Sequence, residues 1–278
     1  MKTKLTLFLA SLLLVAAPGF AKSRTIEGNG KLVTKKIEIS DYDAISTIGA
    51  MEFEYEKSSS GPFLEITVDE NILPYLDIRV KGHTLTFGFK DLPRETEVRD
   101  GDVHTYTSNI SPTKFKVKSR SKDLNELNLV GGCHMMVKSS LDGYKINADL
   151  VGGGSINFEK AVKMHKGKFS IAGGGNVAFD RLDMTNIECS VAGGGNIDLK
   201  GEAERGDFNV AGGGTIDAFN YKLKKADCNV AGGGTIRVYV SEFLDANVAA
   251  GGRIRYKGDP EVSKNTVAGG SILSLIHI

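Results

Sequence analysis

The sequence predicts an all-β protein that folds as a single-stranded β-solenoid, a parallel β-helix-like stack of about 7–8 rungs. A glycine triplet, followed by a small polar residue and an isoleucine or valine, recurs at intervals of roughly twenty residues. Apolar and polar residues alternate with period two on both sides of each triplet, which is typical of half-buried strands. No segment carries the apolar stripe of an amphipathic helix. Each unit is therefore expected to be one rung that buries its inner face against its neighbours.

Residues 1–21 have the features of a secretory signal peptide. Lys2 and Lys4 precede an apolar stretch at residues 5–17, and Ala21 provides a small residue for cleavage. The apolar stretch is too short for a membrane-spanning helix, and the mature chain has no second long apolar run. We therefore expect an exported protein without a membrane span, located in the periplasm or at the outer cell surface.

Residues 22–125 lack the glycine triplet and are predicted to form an N-terminal β region of antiparallel or irregular strands. Five segments alternate with period two and are separated by turn residues such as Gly61-Pro62 and Gly82. The polar stretch 91–111 shows no such periodicity and is predicted to be a loop. The five predicted strands are residues 36–39, 52–56, 64–68, 76–80 and 85–89.

The glycine triplets define the predicted solenoid at residues 126–272. A glycine inside a strand costs roughly 0.5–1 kcal/mol relative to alanine, so repeated glycines require a structural reason. The reason is expected to be either a positive φ at a corner or close backbone approach in a crowded column. The structural repeat glycines are Gly152, Gly153, Gly154, Gly173, Gly174, Gly175, Gly193, Gly194, Gly195, Gly212, Gly213, Gly214, Gly232, Gly233 and Gly234.

Binding roles for the triplets are less favoured. A phosphate-binding loop needs one copy between a strand and a helix, whereas this chain repeats the triplet and has no predicted helix. The order Gly193-Gly194-Gly195-Asn196-Ile197-Asp198 is similar to a calcium-binding β-helix repeat, but most units lack the acidic residue and the period differs. The triplets are therefore interpreted as scaffold elements.

The last six residues, 273–278, are the translation of an adapter sequence used in transposase-based sequencing libraries. This segment is predicted to be a read-through artefact and is set apart from fold reasoning. The alternative is a native closing strand, in which Leu273, Leu275 and Ile276 would be the apolar residues.

Composition excludes some classes of partner and cofactor. The formal net charge is +1 and 25% of residues are charged, so no global field favours nucleic acid or a membrane surface. The three cysteines, Cys133, Cys189 and Cys228, have no metal-ligand spacing. Cys189 and Cys228 lie two units apart in the same register, about 10 Å between Cα atoms, which exceeds disulfide reach. We predict buried free thiols and neither a metal nor another cofactor.

One strand-spaced basic stripe is a candidate contact for a polyanion such as an envelope polysaccharide or a lipid phosphate. Phe115 and Val117 alternate with its cations and point to the opposite face. The alternative, which we favour, is a solvated strand face whose charges deter edge-to-edge pairing. The stripe comprises Lys114, Lys116, Lys118, Arg120 and Lys122.

A second candidate surface is the small polar residue that follows each triplet. This column could present hydrogen-bonding groups to glycans, but a ladder that joins neighbouring rungs is favoured. The sequence shows no nucleophile motif, zinc motif or carboxylate pair, so no catalytic residue is predicted. The column consists of Ser155, Asn176, Asn196, Thr215 and Thr235.

The chain resembles the putative auto-transporter adhesin, head GIN domain family over residues 35–272. The resemblance is carried by the Val-Ala-Gly-Gly-Gly-[Asn/Thr]-Ile repeats, by residues 37–48 with Asp43-Ala44-Ile45, by residues 68–73 and by residues 254–260. It implies an exported protein of Bacteroidota-like bacteria, with a β-solenoid behind an N-terminal β region. It supplies no catalytic residues.

The leading hypothesis is a non-enzymatic exported protein that presents a repetitive solenoid surface for adhesion in the cell envelope. Its partners would be an envelope polysaccharide or a host or bacterial surface component, and a solenoid end could support a homo-oligomer. The second hypothesis is a carbohydrate- or polyanion-binding module, which the absence of Trp disfavours for carbohydrate. The third is a polysaccharide-cleaving β-helix enzyme, for which no acid/base pair is found.

Overall fold

A computed structural model describes residues 23–90, 95–99 and 102–275, and the predicted signal peptide lies outside this range. The described residues form strands and one short 3-10 helix at Leu73–Tyr75, with no α-helix among them. The early strands are β1 (Ser23–Glu27), β2 (Leu32–Ile37), β3 (Ala44–Ile48), β4 (Glu52–Lys57), β5 (Phe63–Asp69), β6 (Leu76–Lys81), β7 (Thr84–Phe89), β8 (Glu95–Arg99), β9 (Asp102–Ser111), β10 (Phe115–Ser121), β11 (Glu126–Gly131) and β12 (His134–Val137).

Six of the remaining strands are longer, at 12 to 19 residues, because each runs through most of one rung, and the last three are short. They pair side by side in parallel, which confirms the all-β class and a β-solenoid of about 7 turns. The equivalent glycines Gly152, Gly173, Gly193 and Gly212 are consecutive partners in this stack. These strands are β13 (Leu141–Gly152), β14 (Ser155–Gly173), β15 (Asn176–Gly193), β16 (Asn196–Gly212), β17 (Thr215–Ala231), β18 (Thr235–Ala249), β19 (Arg253–Lys257), β20 (Glu261–Val267) and β21 (Ser271–Ser274).

The parallel stack extends into the N-terminal region. Strand β3 pairs in parallel with β11, and β4 pairs in parallel with β12. Gly49, between β3 and β4, lies against Gly131, so these two strands supply a further rung with its own glycine corner. Antiparallel pairs β2–β5, β5–β10 and β6–β7 complete the region. The sequence reading missed this rung because only one glycine of the triplet, Gly49, is present in it.

A separate small unit contains a three-stranded sheet in the order β1-β9-β8. The loop prediction for 91–111 is wrong at β8 and β9, which pair antiparallel from Glu95–Tyr106 to Arg99–Asp102. These segments are rich in threonine and valine, which favour strands without an apolar alternation. The intervening Asp100 and Gly101 are the residue pair typical of two-residue hairpins, a signal that the sequence reading left unused. Residues 91–94 and 100–101 lie outside the described range.

The core consists of inward-facing columns that run along the solenoid axis. One column repeats β-branched residues, all essentially inaccessible to solvent, and each contributes about 1.5–3 kcal/mol of transfer free energy. A second column alternates small and large side chains as Ala148, Phe169, Cys189, Phe208 and Cys228. This alternation explains the cysteine spacing, since each thiol fills the space between bulky neighbours. The β-branched column is Ile156, Val177, Ile197, Ile216, Ile236 and Ile254.

All three cysteines are free and buried. Burial raises the pKa of the Cys133 thiol to about 11. Burial also raises the pKa values of Cys189 and Cys228 well above the ordinary thiol value, with nearby carboxylates adding to the effect. The neutral thiol is thus the form present in the folded protein.

Candidate functional site

The glycine corner combines two different backbone requirements. The first glycine of a triplet has positive φ, 131° at Gly173, and a Cβ there would lie 2.6 Å from the Gly152 carbonyl oxygen. The third glycine has no positive φ, but a Cβ on Gly175 would lie 2.8 Å from the carbonyl oxygen of Gly154. The corner therefore needs one glycine for conformation and one for close approach, and both reasons are structural.

The middle glycine of each triplet meets neither requirement. Gly174 has no positive φ, and a Cβ there would meet nothing within 4 Å. Conversely, Ala250 and Ala268 occupy the first position in the last two copies with φ of 68° and 57°. The last corners thus place an L-residue in a conformation that glycine adopts at less cost.

The predicted basic stripe lies on β10, between β4 and β5. Its alternate residues, Phe115 and Val117, are buried as expected of a two-sided strand. Four of its five cations have carboxylate partners among the described residues. Their distances are 2.7 Å for Lys116 Nζ to Glu54 Oε1, 3.0 Å for Arg120 Nε to Glu56 Oε2, 3.9 Å for Lys118 Nζ to Glu65 Oε1 and 3.9 Å for Lys122 Nζ to Asp41 Oδ2.

Glu54 is the most enclosed acid of this group, with 14% of its side chain exposed. Burial opposes its charge, but hydrogen bonds and attraction from Lys116 and Lys138 lower the pKa of its carboxyl overall. The carboxylate of Glu54 therefore joins β10 to Lys138, the residue that follows β12. Because four of the five cations have a carboxylate partner, the stripe offers little unpaired charge to an external polyanion, and its geometry suits a self-paired strand face.

Outward polar columns run along other parts of the solenoid. The predicted column from Ser155 to Thr235 stacks in register, and Asn196 Nδ2 donates to Asn176 Oδ1 at 3.1 Å. The sequence reading missed a longer asparagine ladder. In that ladder, Asn229 Nδ2 donates to Asn209 Oδ1 at 3.1 Å and Asn247 Nδ2 donates to Asn229 Oδ1 at 3.2 Å. In such ladders the side-chain amides of neighbouring rungs hydrogen-bond to one another. The outer surface then carries a regular row of polar groups.

A shallow groove crosses β13 to β16 on the outer surface, with a cavity volume of about 350 Å³. It lies over the column Ile146, Gly167, Ile187 and Gly206, whose residues are buried. The floor contains Gly167 and Ile187. The charged walls are Lys145, Lys166, Lys168, Glu188, Arg205 and Asp207.

The charges in this groove are partly paired with one another. Lys168 Nζ lies 2.6 Å from Glu188 Oε1, whereas Lys166 Nζ lies 5.8 Å from the ring centroid of Tyr144. Tyr144 is 64% exposed and stacks on His165 with centroids 5.2 Å apart. Burial and neighbouring carboxylates raise the pKa of Asp207. An apolar floor with convergent polar groups and an adjacent aromatic ring is a common arrangement for small-molecule recognition.

The described part of the chain contains neither a candidate metal centre nor a candidate membrane-spanning helix. No group of three or more His, Cys, Asp or Glu side chains there is arranged to hold a metal ion. Within that part, no helix has the length and apolar character to cross a membrane.

Comparison with known proteins identifies the family. Residues 41–260 match the profile described as putative auto-transporter adhesin, head GIN domain. The chain belongs to this family. Membership accounts for the combination of glycine corners, in-register rungs and N-terminal strands, and the adhesin family indicates an exported protein. No curated protein matches the chain.

Solved structures of family-like proteins share the architecture. A putative lipid binding protein from Parabacteroides distasonis is 38% identical, has a TM-score of 0.83 and matches over 91% of this chain and 100% of its own. A putative adhesin from Parabacteroides merdae is 32% identical with a TM-score of 0.82, over 90% and 99%. A putative adhesin from Bacteroides fragilis, 22% identical with a TM-score of 0.63 over 90% and 100%, shows the shared fold alone.

Proposed function

We propose that this protein is a non-enzymatic, exported component of the bacterial cell envelope whose solenoid surface acts in adhesion. The observation that carries the proposal is the set of outward polar columns, in which equivalent residues repeat in register from rung to rung. Rungs stack at about 4.8 Å, so the same polar group recurs many times along one face. A repeated array favours multivalent contact with a repetitive surface.

The similar proteins support this proposal at a coarse level. The family is described as an adhesin head domain, and structures at 31% and 32% identity are titled putative adhesins. One similar protein is instead titled a putative lipid binding protein. Both descriptions are compatible with a binding protein of the envelope.

A gene-deletion experiment tests adhesion directly. Cells with the gene, a deletion strain and a complemented strain are compared for attachment to polysaccharide-coated and bare surfaces. We expect the deletion to reduce attachment severalfold and complementation to restore it, because the solenoid supplies many weak contacts at once. Protease treatment of intact cells, read by immunoblot, distinguishes a surface from a periplasmic location.

Two results would contradict the proposal. Unchanged attachment after deletion would remove the adhesive role. Release of reducing sugar by the purified protein, lost when one carboxylate is replaced by its amide, would establish an enzyme instead.

A carbohydrate-binding module is the second candidate, favoured by the groove beside Tyr144. Exposed aromatic rings bind the apolar faces of ligands, and the lysines and asparagines there supply hydrogen bonds. A glycan array distinguishes it from general adhesion, because a module would select a few glycans strongly.

A further inference from the structure

A group of cations that the sequence reading did not single out lies near the carboxyl-terminal end of the solenoid. Outward positions of β17, β18 and β19 stack so that Asp217, Arg237 and Arg255 are consecutive partners, and Arg253 is the partner of Thr235. Lys257 follows on β19, beside Tyr239 of β18. We call Arg237, Arg253, Arg255 and Lys257, with Phe219 and Tyr239, the β19 patch.

The β19 patch differs from the stripe on β10 in its charge balance. Among the described residues, its one ion pair joins Arg237 Nη1 to Asp217 Oδ2 at 2.7 Å. Arg253, Arg255 and Lys257 have no carboxylate partner within ion-pair distance in that part of the chain. Four cations therefore face one acid, whereas five face four on β10. The patch keeps a net positive charge that an external anion can use.

Aromatic rings hold two cations of the patch, Arg237 and Lys257, in place. Arg237 Cζ lies 4.2 Å from the ring centroid of Phe219, and Lys257 Nζ lies 5.7 Å from Phe219 and 5.0 Å from Tyr239. The alternate residues Ile236 and Ile254 are fully buried, so the strands beneath are fixed by the core. Because the side chains of Arg237 and Lys257 are ordered in this way, their binding to an anion costs less conformational entropy than it would for free surface cations.

The spacing of the cations suits a linear polymer. Arg237 and Arg255 are one rung apart, about 4.8 Å, while Arg253 and Arg255 are two residues apart, about 6.6 Å. A guanidinium group binds carboxylate, sulfate or phosphate through paired hydrogen bonds.

We propose that the β19 patch is a binding site for an acidic polysaccharide, with the arginines contacting successive anionic groups of the chain. The inference deepens the proposed envelope function and rests on it for access to such polymers. A polysaccharide is favoured over a membrane because the aromatic rings are partly covered by cations. Membrane-docking surfaces instead insert protruding apolar side chains.

The test compares two triple variants with the same change in charge. Arg253→Ser, Arg255→Ser and Lys257→Ser remove three cations from the patch, and Lys116→Ser, Lys118→Ser and Arg120→Ser remove three from β10. Binding to polygalacturonate and to heparin is titrated with the full chain at two salt concentrations. We expect the patch variant to lose about tenfold or more in affinity, with a weaker salt dependence, and the β10 variant to change little.

Further variants keep the test decisive. Arg255→Lys retains the charge and loses the paired geometry, so we expect an intermediate loss. If the triple variant does not fold by circular dichroism, Arg253→Ser and Arg255→Gln are measured singly.

Equal losses in both triple variants, a loss only in the β10 variant, or wild-type binding only to phosphatidylglycerol vesicles would each overturn the inference. Failure to bind either polymer, in a protein whose deletion still reduces cell attachment, would also overturn it while leaving the adhesive function standing.

Discussion

At the scale of single residues, the glycine triplet divides into three positions with different physics. Only the first requires a left-handed backbone, and both the first and the third are packed against the preceding rung. The middle glycine is exposed and sterically free. Neither the backbone conformation nor the packing therefore requires glycine at this position. The sequence alone supports a structural role for the triplet, but it cannot assign either reason to a position.

Substitutions at the corner test this division. Gly173→Ala should lower the free energy of unfolding by more than about 1 kcal/mol, because it forces an L-residue into positive φ and against Gly152. Ala250→Gly should have the opposite effect and raise the free energy of unfolding by about 1 kcal/mol. Urea unfolding at equilibrium measures both.

Gly174→Ala is the matched control for the corner. Its backbone has no positive φ, and the added methyl group meets open space, so the free energy of unfolding should be unchanged or raised by about 0.4–1 kcal/mol. A loss as large as that of Gly173→Ala would show that the middle glycine has an unrecognised constraint.

At the scale of strands, pairing between segments far apart in the sequence determines whether the cations on a strand face have carboxylate partners. The stripe on β10 is regular in the sequence, yet its acids come from β4 and β5, and Asp41 precedes both. Strand spacing predicted the common face of the cations but gave no means of placing carboxylates 2.7 Å away. The β19 patch is the reverse case, because the stacking register adds Arg237 of β18 to three cations of β19 and leaves those three without a carboxylate partner among the described residues.

The Glu54 bridge gives a pH-dependent prediction. Because its folded-state pKa is below the unfolded value of 4.5, it stabilises the fold above pH 4.5, and this contribution is lost as pH falls through the folded pKa. Glu54→Gln should cost about 1 kcal/mol at pH 7, and the difference from wild type should shrink below pH 4.5. Urea titrations at pH 7, 5, 4 and 3 follow the trend.

Glu70→Gln serves as the control for this experiment. Glu70 is exposed in a turn and makes no ion pair with the described residues, so its stability should track wild type at every pH. A Glu54→Gln variant whose deficit persists unchanged at pH 3 would contradict the electrostatic explanation.

At the scale of the whole molecule, the solenoid is a one-dimensional stack in which each rung contacts its neighbours. Cys189 lies in a middle rung and Cys228 lies closer to the last rungs, both fully buried. Their raised pKa values and burial make them suitable probes of rung opening. The alternation of phenylalanine and cysteine also places both probes in one column.

Thiol labelling tests how this stack opens. In single-cysteine variants, neither thiol should react with iodoacetamide at pH 8 in the absence of denaturant. At low urea, Cys228 should label faster than Cys189, since fewer rungs lie beyond it and end rungs open more readily. Mass spectrometry gives both rates. Identical rates at every urea concentration would show that the solenoid opens as one cooperative unit.

The sequence by itself determined the rung repeat, the inward and outward positions of the repeat strands and the family. It could do so because glycine corners and period-two alternation are local patterns that every rung repeats. Only the tertiary structure decided that β3 and β4 join the stack, which glycine fulfils which role, and which cations meet carboxylates. These depend on contacts between segments far apart in the chain, such as Lys116 with Glu54, that no local pattern encodes.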